Sequence, residues 1–136
     1  MTPELIFYPV AVLVLWTLLV LLHLGLSRMQ ALRRGEVVPS YFRAYRGEVP
    51  ERLVVLERHY RNLLELPVLF YLAAVVAYVA GLVDGWLLGF AWAFVVLRLL
   101  HSISHLGGNR IRTRFRLFLA GFAVLAVFWL GILVRL

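Results

Sequence analysis

Four stretches of this chain, Leu5 to Leu26, Leu66 to Val83, Gly85 to Leu97 running on to Leu106, and Leu117 to Val134, are apolar and almost free of charge. Each approaches or reaches the ~20 residues that carry a helix across a bilayer, where every backbone polar group must be satisfied internally. Nothing else in the sequence restricts the fold as strongly. With 63% hydrophobic and 15% charged residues and a mean hydropathy of +0.90, neither a disordered chain nor an ordinary soluble domain is compatible. Some ~80 residues are committed to spans, so only Ser27 to about Glu57 and a few short turns lie outside the membrane. A second domain has no room, and residues 1–136 read as a single all-α integral membrane domain, a four-transmembrane-helix bundle. The N-terminus lacks the basic flank and small-residue cleavage site of a signal peptide, so the first span is expected to be a retained anchor.

The first helix is expected to begin near Pro3 or Glu4 and to last to Arg34, with Gly35 as a left-handed cap. Gly35 to Pro50, with Pro39, Gly47, Tyr41, Phe42 and Tyr45, suits an ordered loop at headgroup level. Pro50 and Glu51 open a second helix that enters the membrane near Asn62 and stops around Gly81. Asp84-Gly85 marks a tight turn before the third helix, and Gly107-Gly108-Asn109 separates it from the fourth.

All 14 basic residues are arginine. Eight lie from Arg28 to Arg61 and four from Arg110 to Arg116, against Arg135 alone on the opposite side. The positive-inside rule then places both arginine-rich loops in the cytoplasm and both termini outside. Such loops also attract anionic membrane lipid, at about 1 kcal/mol per basic residue. Nucleic acid is not expected as a partner.

There is no cysteine, so thiol chemistry must use a thiol brought by a ligand. Two polar stripes are candidates for a site. Arg58, Asn62 and Glu65 fall at i, i+4 and i+7 of the second helix, in the run Arg58-His59-Tyr60-Arg61-Asn62-Leu63-Leu64-Glu65-Leu66-Pro67. Arg98, His101 and His105 fall at i, i+3 and i+7 of the third. Ionisable groups at membrane depth cost about 2.5 to 3.5 kcal/mol each on insertion scales, so they should face the bundle interior and pair. The natural pair is Glu65 with Arg98, either as a plain tie between helices or as part of a site. Arg58 and Arg61 read equally as a snorkelling face, His101 and His105 as interfacial histidines, and the isolated His23 as structural. No carboxylate or cysteine is in register with the histidines, so no metal site is expected. Arg110, Arg112, Arg114 and Arg116 crowd the start of the fourth helix, where the helix dipole disfavours cations; orientation or a bound anion would account for them. Pro67 leaves the carbonyl of Leu63 without its helical donor and should bend the helix beside Glu65.

The pattern Arg58-x-x-x-Asn62-x-x-Glu65-x-Pro67, with Arg98-x-x-His101-Ser102 and arginines opening the fourth helix, resembles the MAPEG family, the membrane-associated proteins of eicosanoid and glutathione metabolism. The likeness covers Arg58 to the end of the chain, and its run from Glu65 to Tyr71 is closer to a bacterial branch than to the microsomal glutathione transferases or prostaglandin E synthase. The resemblance implies a homotrimer in a bacterial inner membrane, with glutathione as cofactor between subunits and a lipophilic small molecule as substrate. It implies a transferase or peroxidase in which Arg58, Arg61, Asn62, Glu65, Arg98, His101 and His105 bind glutathione or another anion, and in which Arg114 activates the thiol. His105 stands where the eicosanoid enzymes have tyrosine, and Pro67 follows the glutamate by two residues rather than three or four. A non-catalytic module binding anionic lipid or a partner membrane protein through the same arginines is the alternative.

Overall fold

In the computed structural model, which describes residues 1–108 and 110–136, a short 3-10 turn at Pro3–Ile6 leads into six helices. These are α1 (Phe7–Arg33), the single turn α2 (Tyr41–Ala44), α3 (Glu51–Leu63), α4 (Leu66–Val79), α5 (Gly85–Leu106) and α6 (Ile111–Leu133). Four helical segments are long and apolar enough to cross a membrane: Pro3–Arg33, Glu51–Val79, Gly85–Leu106 and Ile111–Leu133. The chain is thus an all-α integral membrane protein with four spans. Asn109, expected to help break the third span from the fourth, lies outside the described residues.

Local signals explain most boundaries. Gly35, at φ +70°, supplies the left-handed residue after α1. Asp84 caps α5, its Oδ1 accepting the backbone N–H of Leu87 at 2.8 Å. That bond, with Arg135 donating to Oδ2, holds the Asp84 carboxyl below the usual carboxylate range. The second span departs from expectation. It is not a bent continuous helix but two helices, because Pro67 cannot donate to Leu63. Leu64 and Glu65 close the end of α3 through tight bonds to the carbonyls of Arg61 and Asn62, and Glu65 becomes the residue preceding α4 at φ −93°, ψ −94°.

Lipid tails are as apolar as leucine, so the helices are held by close packing and polar ties rather than by exclusion of water. Ala73, Ala74 and Ala77 of α4 and Ala91 of α5 are fully buried, small side chains suited to close helix packing, and α6 contacts both helices. Phe70 stacks on Phe94 at 4.9 Å and Phe128 at 6.0 Å, joining α4, α5 and α6. Gly131 gives Trp86 its seat, since a methyl there would stand 2.6 Å from the ring's Cη2. At the arginine-rich end, Arg28 of α1 donates to Glu57 of α3 through Nε at 3.2 Å and Nη2 at 3.1 Å. Phe42 and Tyr45 of the connecting loop each lie 5.7 Å from its guanidinium, so the loop is folded onto the α1–α3 junction. Arg52 and Glu36 pair beside it.

Candidate functional site

The third-span stripe faces inward as its spacing requires. Arg98, His101 and His105 on α5 are all at least 97% buried, and Ser102 joins them at 0% exposure. Arg98 packs beside Gly121 of α6, where a Cβ would stand in ordinary van der Waals contact with Arg98 Cδ, at 3.6 Å. Its guanidinium is held by little. Nη2 donates to the backbone carbonyl of Asn62 at a long 3.4 Å, and the rings of Phe94 and Phe118 lie 6.0 Å away. Nε and Nη1 are buried with no acceptor. A guanidinium has five N–H donors and cannot shed its charge, so buried donors without acceptors are costly here.

α3 adds a residue that the sequence reading passed over. His59, fully buried, shares a 2.8 Å hydrogen bond between its Nε2 and Ser102 Oγ, and the Trp16 indole N–H donates to the same Oγ at 2.8 Å. One serine thereby ties α1, α3 and α5 at a single level. The His59 ring lies 5.0 Å from that of His105, which is 6.1 Å from His101. Its place was legible from Leu56, His59 and Leu63, which recur at helical spacing and are all buried, whereas Arg58 and Arg61 point the other way and are exposed.

The second-span stripe does not hold together. The break displaces Glu65 from the face that Arg58 and Asn62 define, and Glu65 is exposed. It forms no ion pair with Arg98, although its charge acts on that residue through space. In place of the expected pair, Arg98 makes a long bond to the Asn62 carbonyl, which also accepts the N–H of Glu65.

Asn62, His101 and half-buried Arg114 do converge, on a cavity of about 200 Å³ completed by Ile111, Phe115 and Phe118. Arg58 and Arg61 line a separate cavity of about 410 Å³ with Arg28, Tyr45 and Glu57. His105 lines a third, of about 540 Å³, between α1, α3 and α5. His23 is exposed on α1 and borders that same space. Chemically, one cavity combines an amide, an imidazole and a guanidinium over an aromatic wall, and the others carry cations and hydrogen-bonding groups at the same end of the bundle.

Residues 6–134 match the model of a protein family described as the MAPEG family. No curated protein and no solved structure matches the chain.

Proposed function

Because the chain belongs to the MAPEG family, we propose that it is a membrane-embedded, glutathione-dependent transferase or peroxidase acting on lipophilic electrophiles. The observation that carries this reading is Arg98, buried with Nε and Nη1 unaccepted beside Asn62 and Phe118, two residues of the cavity that His101 and Arg114 also line. Those donors fit a ligand rich in carboxylates. When bound, glutathione would supply two carboxylates and the thiol that a chain without cysteine lacks.

The protein's own groups have separable tasks. Arg58 and Arg61, exposed on α3, would hold carboxylate through charge-assisted bonds, and Glu65 suits the ligand's ammonium. Asn62 orients through its amide, while Arg98, His101 and His105 form the buried wall. The Arg114 guanidinium beside sulfur favours thiolate over thiol, which makes a nucleophile at neutral pH. The aromatic wall of Phe115 and Phe118 accepts an apolar substrate arriving through the bilayer. At about 200 Å³ the cavity is smaller than the ~300–1,000 Å³ of ordinary ligand sites. That shortfall supports a homotrimer in which a neighbouring subunit completes each site. We place the arginine-rich loops in the cytoplasm, both termini outside, the whole of residues 1–136 in one domain, and the protein in a bacterial inner membrane.

Calorimetry with glutathione, read beside thiolate absorbance near the ultraviolet edge, tests the proposal. Arg58→Ala should weaken binding, and Arg114→Ala should remove the thiolate signal while leaving most of the binding. Absence of binding at millimolar glutathione, with anionic lipid retained in the same preparation, would favour the second reading, a non-catalytic lipid-binding module. That reading draws on Arg110, Arg112 and Arg116, which stand exposed where the dipole of α6 disfavours cations.

A further inference from the structure

Two of the three buried imidazoles line different cavities. His101 lines the 200 Å³ cavity with Arg114, and His105, one turn further along α5, lines the 540 Å³ cavity. The rings are 6.1 Å apart between centroids, a gap that one water or a small ring rotation closes. The second cavity is polar, with His23, Ser27 and Gln30 of α1 and Glu51 of α3 on its walls, so it suits water. His105 Nδ1 and His59 Nδ1 are both buried with no partner, which leaves a free nitrogen on each ring for a mobile proton. The cations whose fields reach the pair are Arg98 and Arg114 for His101, and Arg114 and Arg58 for His105.

We propose that His101 and His105 form a proton path across α5, carrying the proton released at the thiol-binding cavity to the polar cavity between α1 and α3. This rests on the glutathione reading above. His101 takes the proton of the S–H bond on one ring nitrogen, the electron pair stays on sulfur beside Arg114, and His101 releases a proton from its other nitrogen to His105. His105 delivers it to water at the α1–α3 face, and each ring returns to its neutral form. His59 is a positioning residue. The Trp16 indole can only donate. With Ser102 Oγ accepting that bond, the hydroxyl proton is directed to His59 Nε2, which fixes the His59 ring against His105.

The test uses the full chain in lipid nanodiscs, mixed rapidly with glutathione while thiolate absorbance and a pH-indicator dye are followed together. His105→Ala should slow both signals at least ~100-fold, the low end of what a positioned proton carrier contributes. The slowing should exceed any loss of affinity that calorimetry finds for the same variant, and imidazole added to the buffer, entering the enlarged polar cavity, should restore the rate. Ser102→Ala should slow the signals less, and Ser102→Thr, which keeps the hydroxyl, should recover them. Thiolate formation and proton release at the wild-type rate in His105→Ala, with binding intact, would overturn the path and leave the glutathione reading standing. A wild-type protein that binds no glutathione would remove both.

Discussion

Arg98 is expected to be a cost to the fold in the absence of ligand. It is 1% exposed, permanently charged, and left with two buried nitrogens, Nε and Nη1, whose N–H groups nothing accepts. Each unsatisfied buried donor costs about 1–3 kcal/mol, more on a charged group, so the pair costs at least ~2–6 kcal/mol. Against this stand a 3.4 Å hydrogen bond, at the weak limit, and two cation–π contacts at 6.0 Å, the outer limit of such contacts, each worth roughly 0.5 kcal/mol at exposed sites and up to about 2 kcal/mol when desolvated. Arg98→Met keeps an unbranched apolar stem in the space beside Gly121 and removes the orphaned donors. Replacing a poorly compensated buried charge by a packed apolar side chain is commonly neutral or stabilising. The ligand-free variant should therefore be more stable by about 1–3 kcal/mol, a rise of several degrees in melting temperature. Unfolding in detergent, followed through the four tryptophans, measures this. The same variant should lose the concentration-dependent stabilisation that glutathione confers on the wild type. A melting temperature lowered by several degrees would refute the reasoning, since it would mean that a neighbouring subunit or a lipid already accepts the Nε and Nη1 protons.

Three further outcomes follow from other parts of the structure. Gly131→Ala should cost about 1–3 kcal/mol by overpacking against Trp86, and Trp86→Leu in the same chain should recover most of it; strictly additive losses in thermal melts would contradict the contact. Asp84 has its folded pKa depressed below the ordinary 3.8 by the Leu87 N–H and Arg135, so its contribution is present above about pH 4 and lost as pH falls through the folded value. Asp84→Ala should thus destabilise by about 1 kcal/mol at neutral pH, with a gap to wild type that narrows in acid; a gap independent of pH would exclude the charged cap. In intact cells, single cysteines at exposed Ser40 and Thr113 should resist a membrane-impermeant maleimide while one at Thr2 is labelled, and the reverse pattern would invert the topology.

The parts of this architecture that could be read from the sequence are those fixed by neighbours along the chain. Hydropathy over ~20 residues located the spans, Gly35 and Asp84 marked their ends by backbone conformation and capping, and the i, i+3, i+7 spacing of Arg98, His101 and His105 placed them on one buried face. The misread stripe shows where that reasoning stops. Grouping Arg58, Asn62 and Glu65 assumed an unbroken helix, and Pro67 signalled a bend without revealing that the helix would end at Leu63 and restart at Leu66, one residue before the proline. Once it restarts, Glu65 leaves the stripe, Asn62 offers its carbonyl instead, and the ion pair expected with Arg98 does not form. The Trp16–Ser102–His59 chain is harder still, because its partners are separated by 86 and 43 residues and only the packing of α1, α3 and α5 brings them to one level. A serine inside a span reads as a neutral small residue, and a histidine beside two arginines reads as part of a snorkelling face. The distinguishing fact is phase. His59 repeats with Leu56 and Leu63, not with Arg58 and Arg61, so its ring must enter the bundle and find a hydrogen-bond partner there. Ser102 supplies that partner, and by doing so it leaves the other nitrogen of His59 unpartnered beside His105, in the one region where buried polar atoms remain unsatisfied on both α3 and α5 among the described residues.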